Sequence, residues 1–128
     1  MTATPTILVA EDERDIRELI AFSLRLKDYN VTEAPNGEEA VKKALEIIPD
    51  LILLDVRMPK MTGYEACKAL KENEKTRDIP IVFLSAKGQE GEIRHGKDLG
   101  AEEYFLKPFA PDELTERVRK ILERYGKL

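Results

Sequence analysis

Short apolar runs alternate with amphipathic stretches along the chain, and this alternation predicts strands followed by helices. Ile7–Ala10 (ILVA) is a first strand, and Glu11, Asp12 and Glu13 follow it at once. Ile16, Leu19, Ile20 and Leu24 then recur at helical spacing, which predicts a helix from Asp15 to about Lys27. Asn30 to Ala34 reads as a short strand, and Pro35-Asn36-Gly37 turns the chain into a second helix. Ala40, Val41, Ala44, Leu45 and Ile48 give that helix one apolar face, and Pro49 stops it. The run LILLD at 51–55 is too short for a helix and suits a strand covered on both faces.

Tyr64, Cys67 and Leu70 mark a third helix that ends near Asn73, and Ile79-Pro80 opens a fourth strand, IVFLS. The segment from Lys87 to Asp98 is the least helical of the predicted helices, because Gly88, Gly91 and Gly96 each disfavour helix by about 1 kcal/mol relative to Ala. Tyr104-Phe105-Leu106 forms the fifth strand, and Leu114, Val118, Ile121, Leu122 and Tyr125 share one face of a last helix over Asp112 to Tyr125. Five strands therefore alternate with five helices. Because the strands are continuous apolar runs, the expected fold is α/β, a five-stranded parallel sheet with helices on both faces. In such sheets ligands sit beyond the carboxyl ends of the strands. The residues at those ends are Glu11 and Asp12, Asp55, Ser85 and Lys107.

Length and charge narrow the function. A chain of 128 residues fits one domain, here residues 1–128, which can bury roughly 65–70% of its unfolded surface. Cys67 is the single cysteine, so an internal disulfide and a thiolate metal cluster are excluded, and a reducing cytoplasmic setting is expected. No apolar run approaches the ~20 residues of a membrane span. The net charge of −4 argues against nonspecific nucleic-acid binding, which needs a basic stripe, so protein partners are expected.

Three carboxylates gathered at one sheet edge repel one another, so at least one has a raised pKa unless a cation joins them. Hard oxygen donors with room for water suit Mg²⁺. Asp55, at the end of a rigid strand, is the best-placed nucleophile, since a carboxylate can accept a phosphoryl group as an acyl phosphate. Lys107 offers a point positive charge and Ser85 a neutral donor for the oxygens of the transferring group.

The segments ILVAEDE, LILLDVRMP, FLSAKG and YFLKPF, in this order and spacing, resemble the receiver domain of two-component response regulators, and the likeness runs over nearly the whole chain. The resemblance implies the doubly wound, flavodoxin-like strand order 2-1-3-4-5 and a single-domain receiver of the chemotaxis type. It makes Asp55 the phosphoacceptor, Glu11 and Asp12 the acidic pair that places Mg²⁺, and the Arg57 backbone carbonyl a further ligand. Ser85 and Lys107 then bind the phosphoryl group, and Tyr104 is the aromatic switch residue. A histidine kinase, a phosphotransfer protein or a small phosphodonor supplies the group, and the fourth helix, fifth strand and fifth helix form the surface offered to a downstream partner or a second copy. The implied activity is self-phosphorylation and slow autodephosphorylation, without turnover of an external substrate. Glu11 stands where Asp is also common, one methylene longer, so water can mediate its reach to the ion.

Each residue also has a plainer reading. Asp55 could end a strand at a turn, Glu13 suits a helix N-terminus, Tyr104 could be a core aromatic, and Cys67 a small buried hydrophobe. His95 reads as a solvated helix position. A phosphohydrolase of the haloacid-dehalogenase type would place its aspartate after the first strand in a D-x-D setting, whereas here it follows the third and Arg57 stands two positions on. A flavin carrier would need a hydroxyl- and glycine-rich loop where this chain has Glu-Asp-Glu. A docking module that has lost phosphorylation would have no use for the acceptor, acid and lysine set. The long cationic arm of Arg57 is expected to affect attack of water on the acyl phosphate.

Overall fold

The computed structural model describes residues 4–86 and 90–128. Strands β1 (Thr6–Ala10), β2 (Asn30–Ala34), β3 (Leu51–Asp55), β4 (Ile81–Ser85) and β5 (Glu103–Leu106) form one parallel sheet in the order β2-β1-β3-β4-β5. Helices α1 (Arg14–Arg25), α2 (Gly37–Ile47), α3 (Gly63–Glu72), α4 (Glu90–Asp98) and α5 (Pro111–Arg124) connect and follow them. The expected α/β fold and strand order are both found.

The unbroken apolar runs of β3 and β4 have the physical cause anticipated: every residue of either strand is buried. Alternate side chains feed two separate cores. Leu8, Ile52, Leu54, Ile81 and Phe83 pack with Ala40 and Ala44 of α2 and Ala66, Cys67 and Leu70 of α3. Ile7, Val9, Leu51, Leu53, Val82 and Leu84 pack with Ile20 and Leu24 of α1 and Leu114, Val118, Ile121 and Leu122 of α5. A side chain of this size is worth about 1.5–3 kcal/mol when taken out of water, so a one-residue slip of any central strand is strongly disfavoured. The strand tips are thereby held in register.

Helix ends follow local chemistry. Thr62 and Glu65 form a capping box at α3, and the Asn36 side chain accepts from the Glu39 amide at α2. Helix α1 stops at Arg25, two residues before the predicted end, because the chain turns through Leu26 to reach Asp28 with φ 67°. Pro111 opens α5 at the position where a missing amide hydrogen costs least. The helix expected over Lys87–Asp98 is present from Glu90, and its first three positions lie outside the described residues. It forms despite its glycines for a packing reason. A Cβ on Gly96 would lie 2.9 Å from a Phe83 ring carbon and 3.0 Å from one of Tyr104, so glycine lets α4 approach the sheet. Among the described residues no helix is long and apolar enough to cross a membrane.

Candidate functional site

The tips of β1, β3, β4 and β5 open onto one cavity of about 300 Å³ lined by Asp12, Glu13, Asp55, Arg57, Ser85 and Lys107, among others. Sheet hydrogen bonds run on past the strand ends and set these residues in place. The Glu11 amide donates to the Ala34 carbonyl at 3.1 Å, the Val56 amide to Leu84 at 3.0 Å, and the Lys107 amide to Ser85 at 2.8 Å. Beneath Asp55 the N-terminus of α3 comes unusually close. A Cβ on Gly63 would stand 2.3 Å from the Asp55 carbonyl oxygen, and the Gly63 amide donates to Val56 at 3.0 Å. Nothing in the sequence marks Gly63 out for this close approach beyond its place directly after the capping threonine.

Lys107 is the centre of the charge arrangement. Its Nζ donates to both carboxylate oxygens of Glu11, at 2.9 and 3.1 Å, and to Asp55 Oδ1 at 3.1 Å. Glu11 is wholly buried and Asp55 is 5% exposed, while Asp12 lies at the surface. One carboxylate oxygen from each of Glu11, Asp12 and Asp55 lies within 4.8 Å of the others. Burial pushes the Glu11 carboxyl up from 4.5 to about 7, with Lys107 opposing and Asp55 adding to the rise. Burial likewise raises Asp55, against the pull of Lys107. Burial would lower Lys107, but the two carboxylates bonded to it leave its pKa raised. One lysine thus pairs with two carboxylates while a third, Asp12, stands beside them, and the surplus negative charge is met by a proton or a cation. The residues fit Mg²⁺ on that ground: all donors are hard oxygens, one is exposed, and the adjoining cavity has room for water.

Residues 7–119 match the response regulator receiver domain. The chain belongs to that family. It is 44% identical over 121 residues to the phosphate regulon transcriptional regulatory protein PhoB of Pseudomonas aeruginosa, covering 94% of this chain and 53% of that protein. It is 45% identical over 118 residues to the alkaline phosphatase synthesis transcriptional regulatory protein PhoP of Bacillus subtilis, covering 92% and 48%. The receiver thus spans about half the length of these curated relatives. Among solved structures, Vibrio cholerae chemotaxis protein CheY4 superposes with a TM-score of 0.89 at 32% identity, covering 94% of this chain and all of that one. A putative response regulator from Chloroflexus aurantiacus gives 0.89 at 35% identity, covering 94% and 99%.

The structure places the remaining sequence candidates as follows. Ser85 ends β4 and is 3% exposed, and Arg57 lies exposed on the cavity rim. Tyr104 is outside that cavity, on the α3–α4 face of β5. Its hydroxyl lies 3.2 Å from the Tyr64 hydroxyl of α3, a bond that sequence spacing could not reveal across 40 residues. The Tyr64 ring meets Phe83 edge-on at 5.0 Å and His95 at 4.7 Å. His95, read as a solvated helix position, is exposed but also covers that ring. Burial and the Tyr104 bond raise the Tyr64 pKa. Cys67 is fully buried, and burial raises its thiol to about 11, in keeping with a packing role.

Proposed function

We propose that this receiver is a phosphorylation-dependent signalling switch whose acceptor is Asp55 and whose transfer needs Mg²⁺. The carrying observation is the convergence at Lys107: two buried acids from different strands share one lysine beside an exposed third acid. Glu11, Asp12, Asp55 and the Arg57 backbone carbonyl are the proposed ligands. Mg²⁺ bound there would offset the negative charge that builds on the phosphoryl oxygens and repels an anionic donor. An Asp55 carboxylate oxygen attacks the phosphorus of a histidine kinase, phosphotransfer protein or small phosphodonor. The bond from phosphorus to the donor's nitrogen or oxygen breaks, and the donor leaves with that electron pair. Lys107, already 3.1 Å from Asp55, moves its bonds onto the transferred oxygens, and the Ser85 hydroxyl donates to another.

The product carries more charge than the carboxylate it replaces, and that charge draws Ser85 and Lys107 toward it. The response is a population shift in which Tyr104 turns and α4, β5 and α5 offer an altered face to a downstream protein or to a second copy. Residues 1–128 act as one receiver unit, working in the cytoplasm and making no direct contact with nucleic acid. Arg57, on the rim, influences how fast water removes the group.

The deciding experiment is incubation with acetyl phosphate, with and without Mg²⁺, followed by intact-mass measurement of the native chain and Asp55→Asn. One added phosphoryl group is expected on the native chain with Mg²⁺ only. Equal labelling of Asp55→Asn, or labelling that chelation leaves unchanged, refutes the assignment. For the response, Tyr104→Ala should lose partner binding on phosphorylation, and unchanged binding removes Tyr104 from the switch.

A further inference from the structure

Asp12 poses a structural problem. Its carboxylate is exposed and accepts no hydrogen bond from the described residues, yet it lies in the same 4.8 Å cluster as the buried Glu11 and Asp55. With no side-chain partner among the described residues, the departure of its Cα–Cβ bond toward the cluster rests on the main chain. That main chain is held at Glu11 from both sides. The Glu11 amide donates to Ala34, and its carbonyl, which belongs to the Glu11–Asp12 peptide, accepts from Arg17 Nη1 at 2.9 Å.

Arg17 is an unusual residue for its place. It shares a helical stripe with Ala21 and Leu24, both fully buried, and its own side chain is only 17% exposed. A guanidinium there needs fixed partners, since a buried charge without them is costly. It finds two: the Glu11 carbonyl and the Glu33 carboxylate, 3.4 Å from Nε. Glu33 is itself held, by Arg25 at 3.3 Å and by the pairing of its strand with β1, while its carbonyl accepts from Lys43 at 2.6 Å. The far end of Arg17 is thus moored to the sheet.

From this geometry we infer that Arg17 is a positioning residue for cation binding: moored by Glu33, it locks the Glu11–Asp12 peptide so that Asp12 faces Asp55 before Mg²⁺ arrives. Arg17 touches neither the ion nor the phosphoryl group. Its charge is balanced by Glu33, so its contribution is orientation rather than potential. The inference rests on the Mg²⁺-dependent reading of the site. Without the Arg17 bond, cation binding has to fix the Glu11–Asp12 backbone as well, an ordering cost that weakens affinity by roughly three- to tenfold.

Calorimetric titration of the full chain with MgCl₂ tests this directly, alongside acetyl phosphate labelling rates at limiting and saturating Mg²⁺. Arg17→Ala should bind Mg²⁺ about three- to tenfold more weakly, label slowly at limiting Mg²⁺, and label at the native rate at saturation. Arg17→Lys, able to donate one bond to the same carbonyl, should recover part of the affinity. Glu33→Gln should weaken binding less than Arg17→Ala, and adding it to Arg17→Ala should change nothing further. Should Arg17→Ala fold poorly, Arg17→Lys and Glu33→Gln carry the test. Native affinity in these variants, or a rate deficit that persists at saturating Mg²⁺, overturns the positioning role. A native chain that takes up no Mg²⁺ overturns this role together with the reading beneath it, whereas native uptake with an unaffected Arg17→Ala overturns this role alone.

Discussion

Tyr104 lies within β5 and Lys107 just past its end, three residues on, yet their surroundings are built on different physics. Around Lys107, three donor–acceptor contacts at 2.9 to 3.1 Å join ionisable groups that water barely reaches, on strand ends fixed by the sheet. Around Tyr104, one contact between neutral hydroxyls at 3.2 Å, a tilted ring contact with Phe83 at 6.1 Å and a glycine on α4 do the holding. A charge-assisted cluster out of water has few alternative arrangements of similar energy, because leaving any member unpaired is expensive. A neutral hydroxyl pair at the edge of a helix–sheet contact can be exchanged for water at a net cost of about 0.5–1.5 kcal/mol. The difference separates a place suited to chemistry from a place suited to movement.

Removing the lysine is the most severe way to break that contrast. Lys107→Ala should lower the acetyl phosphate labelling rate by about 10²–10³-fold, the scale for losing one preorganised donor to a developing anion. A rate within a few-fold of native would place the electrostatics elsewhere. Gly63→Ala comes next. Its methyl would drive into the Asp55 carbonyl, so unfolding by urea should show a loss of about 1–3 kcal/mol or more together with slower labelling. Gly96→Ala, pressing only on rings that can turn, should cost less.

The pH dependence of the metal-free chain sharpens the same point. Glu11 titrates near 7 when folded and near 4.5 when unfolded, so between those values the folded chain holds a proton the unfolded chain has released. The contribution of Glu11 to stability is thus greatest at the acid end and falls as pH rises to about 7, by an amount on the order of 1–3 kcal/mol. Chemical denaturation in EDTA at pH 5 and pH 8 measures it. Glu11→Gln should flatten the difference, and a profile that keeps its slope in that variant would assign the proton to another group.

The smallest expected effect lies at the softer region. Tyr64→Phe removes one oxygen and leaves the ring contacts with Phe83 and His95 in place. If the hydroxyl pair restrains Tyr104 in the unphosphorylated chain, apparent affinity for beryllium fluoride should rise by roughly two- to tenfold. Unchanged affinity would make the bond incidental to the switch.

How far the sequence could be read follows the same division. The LILLD and ILVA runs revealed buried parallel strands because burial on both faces leaves no room for polar alternation. The acids and lysine at the strand ends were legible because nothing in a strand calls for them. The roles of Gly63, Tyr64 and Arg17 were not legible, since each acts through a contact that only the folded chain makes: Gly63 against the Asp55 carbonyl at the end of the preceding strand, Tyr64 with Tyr104 in β5, and Arg17 with the Glu11 carbonyl just past β1 and with Glu33 in β2. The glycine-spaced stretch before Asp98 read as the poorest helix because propensity is local, whereas its stabilising contact with Phe83 and Tyr104 is tertiary.

What the chain determined by itself was periodicity and punctuation: apolar runs of strand length, amphipathic helices between them, and charged residues placed where each strand ends. Those depend only on near neighbours and on the cost of hydrating apolar surface. Which acids are buried, which faces solvent, that one lysine bridges Glu11 and Asp55, and that an arginine from α1 holds the Glu11–Asp12 peptide were decided only when the chain folded and brought these groups together. Charge–charge and hydrogen-bond energies depend on separation in space and on the exclusion of water, and neither quantity exists until the chain has folded.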